Sequence, residues 1–464
     1  MHANLHEQNQ QTPTTNHARK HAPGPRYLTP FGMLAEFRRD RLKFYLDLAK
    51  FGDVVRIRVG LTCFHFVSHP EHIKYVLQDN AQNYGRSSLM LMLKSALGEG
   101  LLTSDGDFWR RQRRLAQPAF HRQRIGALTT IMTECTQAML ERWEMSAKRE
   151  QPLEVLAEMS HLTNLITSQT LFSTDMGEEV EAVREAQQGF LAHFNYRFEH
   201  FLTLPERVPT PRNLRFRRAM RTLDRVAYSI IEQRRKDPRD RGDLLSMLMQ
   251  ARDEETGEGM SDTQLRDEVV TFMGAGSETT AVLLAWVWYL LSRHPEVDRK
   301  LRAELAEVLA GRVPTAAELP RLKYTRMVIE ETLRLYPPAW GMSRSVRADD
   351  EIAGSHIPAN TIVTLSPYVT HRDPRFWENP EGFDPERFTA ERSAQRPRYA
   401  YFPFSGGPRQ CIGNEFALME ATLVAATVAQ HYRLHLVPGH PVEPYPVFTL
   451  RPRYGVLMTL HEST

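Results

Sequence analysis

Phe404-Ser405-Gly406-Gly407-Pro408-Arg409-Gln410-Cys411-Ile412-Gly413 places a single cysteine where a Gly- and Pro-rich loop enters an apolar, helix-like run that continues to His431. A cysteine at a helix start has its thiolate favoured by the positive end of the dipole and by free backbone amides. Gly407 permits a turn that residues with a Cβ resist, and Gly413 lets the backbone come close to something flat. Arg409, two residues before the cysteine, is placed to meet an anionic group such as a carboxylate. The plainer alternative is an inert buried cysteine beside a turn, the commoner fate of a lone intracellular cysteine. The other two cysteines, Cys63 and Cys135, are too scattered to build a disulfide framework or a zinc cluster, which points to a reducing, cytoplasmic compartment.

Further out, Val269 to Leu291 has nearly the length of a membrane span, but Gly274, Gly276, Ser277, Glu278, Thr279 and Thr280 interrupt it. An ionised Glu is costly in lipid, so a long buried helix over 262–293, ending before Pro295, is the better account. A carboxylate and two hydroxyls among Phe272, Met273, Val282 and Leu283 are expensive to bury without partners and suggest a function; the alternative is the solvated face of an amphipathic helix. Gly274, Gly276 and back-bonding Thr hydroxyls predict a kink there. Glu331 and Arg334 lie three apart on a helix that Pro337 ends, a spacing that lets them pair but is common on helix surfaces. Trp109 and Arg113 lie four apart on one helical face, where an indole N–H and a guanidinium both reach carboxylates. With Arg110, Arg111 and Arg114 beside them, the same run also reads as a solvated basic surface.

Val54 to Val67 alternates, with Val55, Ile57 and Val59 against Arg56 and Arg58, and turns at Gly60 and Thr62, a β-hairpin pattern. From Asp107 to about Ala310 the signals are mostly helical, including 124–148, 178–200, 213–236 and 262–293. After Pro337-Pro338 come short strands and turns, then a final helical run from Gly413 to His431. The expected fold is mainly α, with a small N-terminal β region and short C-terminal strands. A single domain over 26–464 follows a polar segment, 1–25, expected to be disordered and without a signal peptide or membrane anchor. The 464 residues are 41% hydrophobic and 25% charged, as for a globular protein with a sizeable core. A net charge of +3 gives no global basis for a nucleic-acid partner, and no repeat of solenoid period is present.

Phe404, Gly407, Arg409, Cys411 and Gly413 match every specified position of F-x-x-G-x-R-x-C-x-G, the signature of the cytochrome P450 family. At roughly 5% usage per position such a match arises by chance on the order of once in 10⁵ chains, so the chain is identified as resembling a soluble bacterial member of that family over 26–464. The resemblance implies a cytochrome P450 fold around haem b, with Cys411 as the iron's thiolate ligand and Phe404 shielding the sulfur. It sets Gly413 against the ring and assigns Arg409, Trp109, Arg113 and Arg344 to the haem propionates. Glu331, Arg334 and Arg387, the last in Pro385-Glu-Arg-Phe388, correspond to the family's structural ion-pair network. Thr279 and Glu278 correspond to its acid-alcohol pair, which passes solvent protons to O2.

The implied activity is insertion of one oxygen atom from O2 into a lipophilic substrate, a fatty acid, a terpenoid or similar. Electrons come ultimately from NAD(P)H through a separate ferredoxin or flavodoxin and its reductase, docking on the proximal face of a monomer. A peroxide-driven peroxygenase and a non-catalytic haem sensor or apolar-ligand carrier are the alternatives; the Glu278-Thr279 pair argues against both. By family layout the substrate pocket draws on Ser88 to Gly98, Phe190 to Phe201, Phe272, Met273 and Ala275, then Ala339, Trp340 and Met342, and Phe448 within Val447 to Leu450. Core packing is the other reading of those apolar positions.

Overall fold

The computed structural model describes residues 21–25, 32–59, 62–174, 179–200, 203–252 and 257–463. The expected disorder over 1–20, the hairpin turn at Gly60 and the pocket position Phe201 lie outside these residues. Residues 21–25 run beside the first strand, where Arg56 N–H donates to the Pro23 carbonyl at 2.7 Å.

The first half of the chain lays down α1 (Arg41–Ala49), β1 (Val54–Val59), β2 (Thr62–Val67), β3 (Tyr84–Arg86), α2 (Gly106–Ala116), α3 (Thr129–Lys148), α4 (Val155–Phe172), α5 (Glu179–Glu199) and α6 (Pro211–Lys236). The second half adds α7 (Asp262–Arg293), α8 (Pro295–Leu309), α9 (Lys323–Leu335), β4 (Met342–Val346), β5 (Ile362–Leu365), α10 (Asn414–His431), β6 (Tyr432–Leu436), β7 (Pro444–Pro446), β8 (Leu450–Pro452) and β9 (Leu457–Glu462). Shorter turns and helices connect them.

Helix boundaries follow side-chain chemistry. Ser261 caps α7 and shares a capping box with Gln264, while α8 begins at Pro295, whose missing N–H costs nothing in a first turn. Helix α7 occupies the span expected for it, with Ala281 to Trp288 almost wholly buried. It passes the length and hydropathy test for a membrane span, but most of that window is covered by the rest of the fold, chiefly α4 and α6. The expected kink does not break the helix. Instead the Ser277, Thr279 and Thr280 hydroxyls donate to the carbonyls of Met273, Ala275 and Gly276, at 2.7, 2.8 and 3.2 Å, within a continuous ladder.

Strands β1-β2-β5-β4-β3 form one sheet in that order, antiparallel except for the parallel pair β2 and β5. The alternation read in the hairpin has a physical outcome: Val55 and Ile57 are buried with Phe66, while Arg56 faces the other way. Register at the far edge sets Arg86 of β3 opposite Arg344 of β4. Like charges directly opposite in a sheet are destabilising unless something else holds them, which makes this pair informative.

Candidate active site

The cysteine loop is fixed by a backbone that few residues tolerate. Gly407 has φ +65°, and a Cβ there would lie 1.8 Å from the Leu77 carbonyl oxygen, so the position requires glycine. Cys411 N–H donates to the Phe404 carbonyl at 2.9 Å, and Arg113 of α2 donates to the Gln410 carbonyl at 2.9 Å. These bonds hold the two ends of the Gln410–Cys411 peptide just before the sulfur. The Cys411 side chain is accessible although the fold surrounds it, and burial pushes its thiol up, against the opposing pull of the Gly413 N–H and Arg113. The thiolate preference read from the helix start is therefore outweighed. A positive charge at the sulfur, such as a bound metal cation, would favour the thiolate. Ala275 is likewise accessible between buried Met273 and Ser277, and so is Ala339 between Pro338 and Trp340. Phe404 and Gly413 are half-buried, with Phe120 3.6 Å from where a Gly413 Cβ would stand.

Around the loop stands an excess of buried positive charge. Arg344 is 5% exposed, and burial together with the nearby Arg409 pushes it down to about 10. Arg86 is driven well below its ordinary range by burial, then by Arg409 and Arg344, and its Nε has no hydrogen-bond partner. Arg409 bonds the Asp105 carboxylate and the Ser104 carbonyl and lies over the Trp109 ring at 4.0 Å. Burial works against ionisation of Asp105, yet N–H donors of Arg86 and Gly106 and the Arg409 charge hold its carboxyl at about 2. Asp105 thus pairs with Arg409 and the more exposed Arg347, and reaches the Arg86 and Arg344 guanidiniums only as a nearby charge. Buried charges without counter-ions are costly, so this cluster suits a ligand carrying two carboxylates, as the haem propionates are. The structure brings Arg409, Arg344, Trp109 and Arg113 to one region and adds Arg86. The only signal for Arg86 was strand register, which a single sequence does not show.

Behind the loop, Glu331 and Arg334 are both fully buried. Arg334 donates twice to Glu331, at 2.7 and 2.8 Å, and once each to the carbonyls of His371, Pro380 and Gly382. Glu331 also accepts from Asp384 N–H at 2.9 Å and pairs with Arg387 at 3.3 Å. His371, which the sequence did not reveal, joins this network to the segment leading into the cysteine loop. Its Nε2 accepts from Phe402 N–H at 3.0 Å, so its Nδ1 is the protonated nitrogen facing the Arg334 carbonyl, and burial with the Arg334 charge keeps the ring neutral.

On α7, Glu278 and Thr279 point to different partners. Glu278 accepts from the Thr449 hydroxyl at 2.8 Å and faces Arg451 at 3.4 Å; burial pushes its carboxyl up, with Arg451 and Thr449 pulling the other way. Phe272 stacks on Phe120 at 5.5 Å, Met273 is buried in the core, and Phe448 meets Phe190 edge-on at 6.5 Å. Trp340 packs with Leu42, Tyr368 and Leu450 and donates its indole N–H to the Val447 carbonyl, so it braces the segment behind Phe448.

The family model described as "Cytochrome P450" matches residues 22–458. The chain is 40% identical to cyclooctatin synthase of Streptomyces melanosporofaciens, over 95% of either chain. It is 39% identical to cyclooctat-9-en-7-ol 5-monooxygenase of the same organism, over 88% of this chain and 87% of that one. It is 35% identical to pentalenene oxygenase of Streptomyces avermitilis, over 89% and 91%. A cyanobacterial cytochrome P450 solved with bound retinoic acid superposes with a TM-score of 0.84 at 26% identity, covering 96% of this chain and 100% of that one.

Proposed function

The chain belongs to the cytochrome P450 family and is a monooxygenase of lipophilic substrates, and on that premise we propose the roles of its site residues and the class of its substrate. Cys411 would hold the haem iron through its sulfur; Arg86, Arg344 and Arg409 would hold the propionates, with Trp109 backing Arg409; Arg113 fixes the loop beside the sulfur. The observation that carries this is the accessible Cys411 among guanidiniums that outnumber their carboxylate neighbours. When bound, the haem supplies the oxidant that replaces a substrate C–H bond by C–OH, using O2 and two electrons.

The chain's own residues supply placement and protons. Burial pushes the Glu278 carboxyl up from its ordinary range, the direction that suits a proton donor. The Thr279 hydroxyl, next in sequence to Glu278 and donating to the Ala275 carbonyl, would accept one proton and pass its own on. Glu331, Arg334 and Arg387 act only by holding the loop behind the sulfur. Phe448, Phe190 and the accessible Ala275 and Ala339 line the substrate side. With relatives named for cyclooctatin and pentalenene, a terpenoid is the substrate class that fits better than a fatty acid.

The concave basic surface of Arg110, Arg113, Arg114, Arg124 and His121 around Pro408 suits an acidic ferredoxin or flavodoxin, fed from NAD(P)H by its reductase. The protein works as a cytoplasmic monomer. Reduced holoenzyme under carbon monoxide is expected to show the thiolate-type Soret shift and Cys411→Ser to lose it; a serine variant that keeps the shift refutes the assignment.

A further inference from the structure

The segment Pro446 to Arg451 is held at almost every residue by a different part of the fold. The Pro446 carbonyl accepts from Arg41 at 2.8 Å and the Val447 carbonyl from Trp340 at 2.8 Å. Phe448 N–H donates to Asn195 of α5 at 3.0 Å, and Leu450 N–H to the Pro338 carbonyl at 3.0 Å. The Leu450 carbonyl accepts from Trp286 of α7 at 2.8 Å, one residue after the Thr449 hydroxyl meets Glu278. Phe448 therefore sits on a short strap whose next residues grip the acid of α7. The strap is tied to α5 and to the Pro338 turn on the pocket side. Among the described residues, the charged or hydrogen-bonding groups that face the Glu278 carboxyl are Arg451 and Thr449, both on this strap. Where α4 packs on the same part of α7 it brings Thr163 and Thr167, which do not titrate.

We propose that Thr449 and Arg451 are positioning residues for Glu278, so that what occupies the pocket against Phe448 is communicated to the proton donor through the bend that joins β7 to β8. The proposal rests on the monooxygenase reading above. A ligand that displaces Phe448 moves Thr449 with it, because both lie in the bend 447–449 between β7 and β8, which Val447 N–H closes by donating to the Thr449 carbonyl at 3.2 Å, while Leu450 beyond it is held by Trp286. The acid is thereby loosened from its two partners when the pocket is filled, and held to them when it is not. The idle enzyme keeps its proton donor tied to the strap.

The test is a carboxyl-stretch infrared titration of ferric holoenzyme, with Glu278→Gln identifying the band. Arg451→Gln removes the facing charge and is expected to raise the Glu278 midpoint by about one pH unit, while Arg451→Lys brings it most of the way back. Phe448→Ala, which removes no group bonded to Glu278, is expected to move the midpoint by about half a pH unit. If Arg451→Gln fails to retain haem, Thr449→Val, which removes one hydrogen bond and no charge, is expected to raise the midpoint by a smaller step. A band that ignores these strap substitutions overturns the proposal, as does a band unchanged in Phe448→Ala or one that Glu278→Gln does not remove. Failure of the monooxygenase reading is seen separately, as absence of the thiolate-type Soret shift in the parent protein.

Discussion

Replacing Arg334 by leucine tests how much of the fold hangs on one guanidinium. The side chain is fully buried and makes five hydrogen bonds, two to Glu331 and three to backbone carbonyls. Removing one partner of a buried pair costs about 3–5 kcal/mol, and with Arg387 and the Asp384 N–H still facing Glu331 the lower end applies. Each abandoned carbonyl adds about 1 kcal/mol. The total rivals the whole stability of a domain, about 5–15 kcal/mol. Arg334→Leu is therefore expected to accumulate without haem and to unfold at far lower urea. Arg334→Lys keeps the charge but has three donors for five acceptors, and falls between. The assay is urea unfolding followed by Soret absorbance and far-UV circular dichroism, run also on Glu331→Leu and the double variant. Removing both charges should cost much less than the two single losses together, a coupling of about 3 kcal/mol. An Arg334→Leu midpoint close to the parent's, or a coupling near zero, refutes the reasoning.

Three other expectations follow from the buried charges and the α7 hydroxyl. Arg344→Leu relieves repulsion with Arg86 and Arg409, so the haem-free protein should gain stability while haem transfer to apomyoglobin speeds up about tenfold; slower or unchanged transfer argues against a propionate role. Glu268 is pushed up to about 8, first by burial, with the Leu101 N–H opposing, from an ordinary 4.5. An acid whose folded value is raised costs stability as pH climbs from the unfolded value to the folded one, so stability should fall between about pH 4.5 and 8 and then level off. Glu268→Gln should remove that slope, and an unchanged urea profile across the window contradicts the burial argument. Thr279→Ala should bind ligands normally yet release several-fold more peroxide per NAD(P)H consumed, measured with surrogate ferredoxin and reductase; unchanged coupling removes Thr279 from the proton path.

What the sequence disclosed and what it withheld divide along physical lines. Helix α7 was readable to its ends because a capping Ser261, a long apolar run and Pro295 agree on the boundaries. The hairpin β1-β2 was readable because alternation leaves one register that buries Val55 and Ile57. Cys411 and the Glu331-Arg334 spacing were readable because their chemistry is local to a few residues. Arg86 and His371 were not, since each acquires its meaning from a partner that only the fold brings near, Arg344 across a strand pair and Phe402 31 residues further along the chain. The strap partners of Glu278 were hidden for the same reason. Trp340, placed in the pocket by family layout, turns into a small core under α1 because its indole N–H finds the Val447 carbonyl there.

Two groups of buried arginines in this fold differ in a way that separates structure from binding. Around Glu331, the guanidinium of Arg334 spends its donors on a carboxylate and three carbonyls, and Arg387 adds the carbonyls of Glu378 and Asn379. There each guanidinium has the Glu331 carboxylate within 3.3 Å as well as its carbonyls, so adding an anion would unbalance the network. Around Asp105 the count is open: Arg86, Arg344 and Arg409 crowd one carboxylate, repel each other and leave a buried donor unpaired. A fold keeps such an arrangement only if something outside the chain repays it, and the repayment must be anionic, planar enough to lie beside Cys411, and present in nearly every folded molecule. The same charge excess that destabilises the chain alone is then the source of its affinity for the group it holds, so substitutions at these arginines should move haem-free stability and haem retention in opposite directions, whereas substitutions at Arg334 should lower both.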